Sequence, residues 1–278
     1  MRILAVARLT LEESVRRRVL HATLICGAAF LVLYAVGMHF IVADLMRQTG
    51  PTAAVQRQLV LNMFTIAGLY AVNFLLVMSA VLLPVDTLSG EIASGTLQTV
   101  VARPVHRSEI VIGKWIAHVL VVWGYLLLLA GGVLAIAYGM GRHWPQNAGP
   151  GLAAMGLEAV VLVSLSIAGG ARFGTVTNGV LAFGLYGIAF LGSWVEQFGS
   201  FTDSDATRNI GTIASLLMPS ESMWQLASHL MQPAFLLQMR ASPFSLAPMP
   251  SPAMILWAVL WSAAVLASGV RAFQKRPL

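Results

Sequence analysis

Leu83-Pro-Val-Asp-Thr-Leu-Ser-Gly-Glu-Ile-Ala-Ser-Gly-Thr-Leu-Gln-Thr-Val-Val-Ala-Arg-Pro-Val-His-Arg-Ser-Glu-Ile-Val-Ile-Gly-Lys114 is a polar island between two long apolar runs. It carries Asp86, Glu91, Arg103, Arg107, Glu109 and Lys114. Hydrocarbon cannot solvate such a segment, so it must reach water or be buried against protein. Ser89, Gly90 and Glu91 open a short helix, with Glu91 at the positive end of its dipole. Thr96 to Val101 are expected to continue it. Ala102-Arg103-Pro104 then turns the chain out of helix, because the residue before a proline disfavours helical angles. Ser108-Glu109 starts the next helix, which runs into an apolar stretch.

The chain on either side is built for lipid. Of its 278 residues, 58% are hydrophobic and 10% are charged, against about 25% charged in a soluble domain; mean hydropathy is +0.78. Six apolar runs read as spans, the first long enough to cross about 30 Å of hydrocarbon: Ala22 to Val42, Leu59 to Leu83, Trp115 to Met140, Leu152 to Ala171, Gly179 to Trp194, and Pro252 to Val270. The expected fold is all-α, a polytopic membrane protein forming a single transmembrane domain over 1–278. Within it, 84–114 is the polar loop and 195–251 a long segment between spans five and six. In that segment Ile210 to Met218 and Ser222 to Met231 have helical patterns broken by Pro219. Ser220-Glu221-Ser222 can start the second of them. These short helices are expected to lie at, or dip into, the outer leaflet.

Six spans put both termini on one side. That side collects Arg2, Arg8, Arg16, Arg17, Arg18, Arg103, Arg107, Lys114, Arg172, Arg271, Lys275 and Arg276, twelve of the 17 Lys and Arg. The excess places the termini and the 84–114 loop in the cytoplasm. It also explains the net charge of +6 without nucleic acid. Residues 1–20 are amphipathic: Ile3, Ala7, Leu11 and Val15 recur at helical spacing among arginines. This predicts an interfacial helix, its stripe in the acyl region and its arginines at anionic headgroups. The apolar run that follows exceeds a signal-peptide core and lacks a clear small-residue cleavage site, so the helix is read as uncleaved. One cysteine, Cys26, excludes an intramolecular disulfide framework and a thiolate cluster, and is read as packing.

The pattern S-G-E-x-x-S-G-T-L-x-x-x-x-A-R-P-V-x-R-x-E-I-V-x-G-K resembles the cytoplasmic loop of type-2 ATP-binding-cassette (ABC) permeases, and more narrowly the multicopper-enzyme-maturation permease group. The match is specific over roughly thirty residues. The resemblance implies a coupling helix that docks on a separate cytoplasmic ATPase. Leu97 and Val101 would then be its apolar knob, and Glu91, Arg103 and Arg107 its orienting charges. Thr96 would belong to the same helix and Pro104 would hold the corner. It further implies ATP-driven export, a second permease copy in a homo- or heterodimer, and residence in a bacterial inner membrane. Motion of the loop would pass into spans two and three. The segment from Met218 to Ser228 also resembles one recurring in these permeases. No G-x-x-x-x-G-K-[ST] phosphate loop exists in this chain, so ATP and Mg belong to the partner and no cofactor is expected here.

Glu158 is the only acid well inside an apolar run. Charges there are costly and often functional, yet it lies about two turns from the outer end, where snorkelling or a local hydrogen bond suits it equally. In related exporters, spans two and five of two copies enclose the substrate path. This makes Asn73, Phe74, Phe183 and Tyr186, with Glu158, candidates for lining it. Gly184, Gly187 and Gly192 give span five a small face suited to close helix contact, within or between subunits. Met218, Met223, His229, Met231 and Met239 offer thioether and imidazole, which suit Cu(I); their spacing forms no compact set, and no metal site is expected. The rival to an ABC permease is a stand-alone secondary transporter or channel, which predicts internal repeats; none is evident. An intramembrane enzyme is disfavoured by the lack of a Gly-x-Ser-x-Gly elbow, His-Glu-x-x-His or a mid-membrane Asp pair.

Overall fold

Apolar runs of this length must satisfy every backbone group internally, and they do so as helices. The computed structural model describes residues 2–47, 50–95, 106–199, 205–235 and 249–276. Its helices in chain order are α1 (Arg2–Arg16), α2 (Arg18–Arg47), α3 (Ala53–Leu82), α4 (Ser89–Ala93), α5 (Arg107–Gly141), α6 (Ala148–Gly170), α7 (Thr175–Gly199), α8 (Asp205–Leu217), α9 (Ser220–Met231) and α10 (Pro252–Lys275). Six of them, α2, α3, α5, α6, α7 and α10, are long and apolar enough to span a membrane. Each of the six expected spans coincides with one of these helices, which extend a few residues further at most ends; the second and fourth expected spans run one residue past theirs, to Leu83 and Ala171.

α3 and α6 are the inner helices and α2, α7 and α10 the outer ones. Leu69, Val72, Leu76, Leu129, Val133, Met155 and Leu162 are inaccessible and form the core between α3, α5 and α6. Small residues set the closest approaches. A Cβ at Gly269 of α10 would sit 2.7 Å from the Cα of Ala168 in α6, so only glycine lets these backbones touch. Trp115 and Trp123 of α5 donate to α6, to Ser164 Oγ at 2.9 Å and to the Gly156 carbonyl at 3.1 Å. Tyr125 ties α5 to α2 through the Thr23 carbonyl at 2.9 Å. Cys26, read from sequence as packing, is exposed on α2 instead.

α1 differs from the expected free amphipathic helix. It packs along the start of α5, with Val6 against Gly113. Its buried face is Ala7, Thr10 and Ser14, while Leu4, Leu9 and Val15 point outward. The i, i+4 stripe read from sequence is therefore split, because small side chains admit a neighbouring helix and large ones do not. We call the end of the bundle carrying α1 the proximal end. The start of α5, the end of α6, the start of α7 and the end of α10 meet there, and the opposite end is distal.

The segment between α7 and α10 folds back into the bundle. Gly192 of α7 meets Ala214 of α8, and Glu196 meets Gly211, so α8 runs antiparallel to α7 toward the interior. Pro219 turns the chain. α9 then returns along α6, with Met231 against Gly151 near the distal end. Trp257 of α10 donates to the Leu216 carbonyl at 3.0 Å, pinning the hairpin from its other side. Met218, Met223 and Met231 are buried as packing residues; Met239 lies outside the described residues. The two helices thus dip inward rather than rest on the surface.

Candidate functional site

The proximal site is built around the turn between α3 and α4. α3 ends at Leu82, and Pro84 prevents simple continuation. Thr87 N–H bonds the Pro84 carbonyl at 3.1 Å and Gly90 N–H the Asp86 carbonyl at 2.9 Å. α4 stops at Ala93, and Gly95 takes a left-handed φ of 73°. That helix stop is glycine's usual role; Thr96 to Val101, expected to continue the helix, lie outside the described residues. α5 opens at Arg107, one residue before the expected start, where the His106 N–H is capped by Glu109 Oε2 at 2.9 Å.

Three helices grip this turn. From α5, the Lys114 ammonium pairs with Glu91 and donates to the Thr87 carbonyl at 3.4 Å. His118 Nδ1 donates to the Lys114 carbonyl at 2.8 Å, which leaves Nε2 to accept from the Thr87 hydroxyl at 3.0 Å. From α7, the Thr175 hydroxyl donates to Asp86 at 2.7 Å. The Ser89 hydroxyl lies 2.9 Å from that of Thr175 and donates to the Val85 carbonyl at 3.0 Å. Asn178, also on α7, bridges the Val85 carbonyl at 3.2 Å and the Ser166 carbonyl of α6 at 2.8 Å. Ser166 Oγ in turn donates to the Val81 carbonyl at 3.0 Å. Buried polar groups fully paired in this way hold one geometry.

Of the predicted coupling residues, Glu91 and Arg107 lie among the described residues; Thr96, Leu97, Val101, Arg103 and Pro104 fall outside them. Glu91 is engaged by Lys114. Arg107 points the other way, donating to the carbonyls of Phe273, Gln274 and Arg276 at 3.5, 3.2 and 2.7 Å. It caps the negative end of α10. Arg276 then reaches the Ala171 carbonyl at 3.0 Å, and Arg172 the Ser268 carbonyl at 2.8 Å. Both charges expected to face a partner therefore make bonds inside the chain.

A second polar cluster lies toward the distal half. Asn73 of α3 donates to Glu158 of α6 at 3.3 Å, and Tyr186 of α7 hydrogen-bonds Glu221 at the hairpin tip. Glu158 and Glu221 are 0% and 5% exposed, and the Glu221 carboxylate acts electrostatically on Glu158. Tyr70 sits beside them, bonded to Trp194 and with its ring centroid 5.4 Å from that of Trp224 at a tilt of 50°. The structure thus brings Asn73, Glu158 and Tyr186 together, and sends Phe74 outward, 54% exposed. Phe183 is partly buried against the core. Gly192 serves contact with α8, whereas a side chain at Gly184 or Gly187 would meet nothing. A distal cleft of about 560 Å³, lined by Arg57, Arg142, His143 and Trp144 among others, opens between α3 and α5. Burial lowers the His143 pKa, favouring the neutral ring there.

Sequence reading missed Lys114, His118, Thr175, Asn178, Ser166 and Glu221 as a connected set. The signal was present: each is a polar group at the edge of, or inside, an apolar run, and such groups must find protein partners.

An all-helical bundle with six membrane-crossing helices, a clamped proximal loop and an inward-folded hairpin defines a polytopic membrane transport subunit. The chain belongs to the ABC-2 family transporter proteins, whose family model matches residues 4–278. A search of curated proteins finds no match.

Proposed function

We propose that the chain is the permease subunit of an ATP-driven exporter, coupled to a separate cytoplasmic ABC ATPase through the 84–114 loop. The observation that carries this reading is the clamp on residues 83–94. A segment that receives mechanical input must be rigidly joined to what it moves, and this one is bonded to α5 and α7, and through Asn178 and the packing at Gly170 to α6, as well as continuing from α3. Thr96, Leu97, Val101, Arg103 and Pro104 carry the proposed docking surface, with Glu91 and Arg107 setting its footing from within. ATP and Mg bind on the partner. The charge distribution supports cytoplasmic termini in a bacterial inner membrane, with α1 at the lipid interface.

The reading includes a second permease copy. The outward face of α7 around Gly184, Gly187, Ile188 and Leu191, with Phe74 of α3, is left exposed by the described residues. Two such faces would enclose the path between subunits, lined by Phe74 rather than by the buried Asn73 and Tyr186. A photo-crosslinking residue at position 97 or 101 tests the docking assignment. Capture of an ABC ATPase supports it; capture of lipid alone counts against it.

A further inference from the structure

Glu158 and Glu221 belong to one buried polar cluster where the α9 end of the hairpin tip packs against α3, α6 and α7. We propose that they form a proton-binding site that latches the α8–α9 hairpin to the bundle, holding it down while protonated and releasing it when the proton leaves. The inference does not depend on an ATPase partner.

Three observations converge. First, both side chains are buried; Glu221 and Asn73 act on Glu158, and Tyr186 acts on Glu221, with no lysine, arginine or histidine among them. Two carboxylates side by side in such surroundings cannot both stay ionised. Second, the hydrogen bonding is short of donors. Glu158 Oε2, Glu221 Oε2 and Asn73 Oδ1 are buried without a partner. Asn73, 1% exposed, already directs its amide N–H at Glu158 Oε1. A proton on Glu158 Oε2 converts one of these orphan acceptors into a donor beside the orphan amide oxygen. Third, the site spans a moving-part boundary: Asn73 and Glu158 belong to the inner helices, while Glu221 is on the second residue of α9, two positions after the Pro219 turn.

The ligand is a proton rather than a larger cation. Among the described residues, no group of three or more His, Cys, Asp and Glu is arranged to hold a metal ion. The groups facing Glu221 are Glu158 from α6, Tyr186 from α7, and Tyr70 with Asn73 from α3. Both tyrosines are neutral donors or acceptors at physiological pH. When the pair loses its proton, two buried like charges repel across the α6–α9 contact. α9 is the side joined to the rest by a proline turn, so it is the side that lifts, and the proton passes to distal water.

Infrared difference spectroscopy on the full-length protein in lipid nanodiscs tests the site directly. The expected result is a protonated-carboxyl C=O band at neutral pH that disappears on alkalinisation and is lost in Glu158→Gln and Glu221→Gln variants. Hydrogen exchange over 220–231, corrected for intrinsic rate, tests the latch. Protection should fall with rising pH in the unmodified protein and stay constant in the Glu158→Gln/Glu221→Gln pair, whose amides imitate the protonated state. Absence of the band in the unmodified protein overturns the site, including through replacement of the proton by sodium, and needs no variant to fold. The same pH dependence of exchange in both proteins overturns the latch.

Discussion

Lys114, two turns into α5, forms an ion pair with Glu91 of α4 and donates to the Thr87 carbonyl behind it. The lysine side chain is 6% exposed and the glutamate 21%. This pair joins the loop to the first membrane helix after it by a bond that a solvated surface charge could not make.

Removing one member leaves the other charge without its partner in a largely dry position. Lys114→Met is expected to destabilise the protein by about 2–4 kcal/mol, somewhat below or within the range for breaking a buried pair because Glu91 keeps some water. Exchanging the two residues, Glu91→Lys with Lys114→Glu, should recover part of the loss. Thermal unfolding of the detergent-solubilised variants as a double-mutant cycle measures the coupling.

The layout of spans was legible because hydrophobic run length alone decides it: every expected span matches a helix to within a residue at the ends it overruns. The side-chain connections were not legible. Periodicity assigned Ile3, Ala7, Leu11 and Val15 to one lipid-facing stripe, but α5 selects the small face of α1, and which neighbour a helix meets is a tertiary fact. Arg107 looked like a docking charge because a loop arginine normally seeks solvent; the end of α10, 166 residues away in the chain, supplies its carbonyls instead. Asn73, Glu158 and Tyr186 were each recognisable as polar groups needing protein partners. That they gather around Glu221 depends on the hairpin folding inward, which no local pattern specifies.

Arg107 gives a prediction that separates structure from docking. Arg107→Ala should free the last turn of α10, costing about 1–2 kcal/mol for its charge-assisted bonds to carbonyls at a half-exposed position. Hydrogen exchange across 270–276 should accelerate while ATPase association persists. Loss of association with unchanged exchange would return Arg107 to a contact role.

Two glycines should respond in opposite ways. Gly269→Val drives a side chain into the Ala168 backbone and should destabilise the fold by about 1–3 kcal/mol. Gly184→Ile meets open space within the chain, so the fold should persist while the proposed subunit contact is lost. Melting temperature and native mass spectrometry of the two variants check both outcomes.

Trp257 pins the hairpin through one hydrogen bond to Leu216. Trp257→Phe keeps most of the ring and deletes the donor. It should lower protection over 205–217 by about 1 kcal/mol without altering the span helices, as read by hydrogen exchange.

The central claim is that residues 84–114 connect this permease to an ATP-hydrolysing partner. Affinity purification from native membranes, read by mass spectrometry, tests it most directly. The account predicts a near-stoichiometric ABC ATPase that is lost when residues 96–105 are replaced by a glycine-serine linker in an otherwise folded protein. A protein that purifies without any ATPase, and transports in liposomes without ATP, would contradict it.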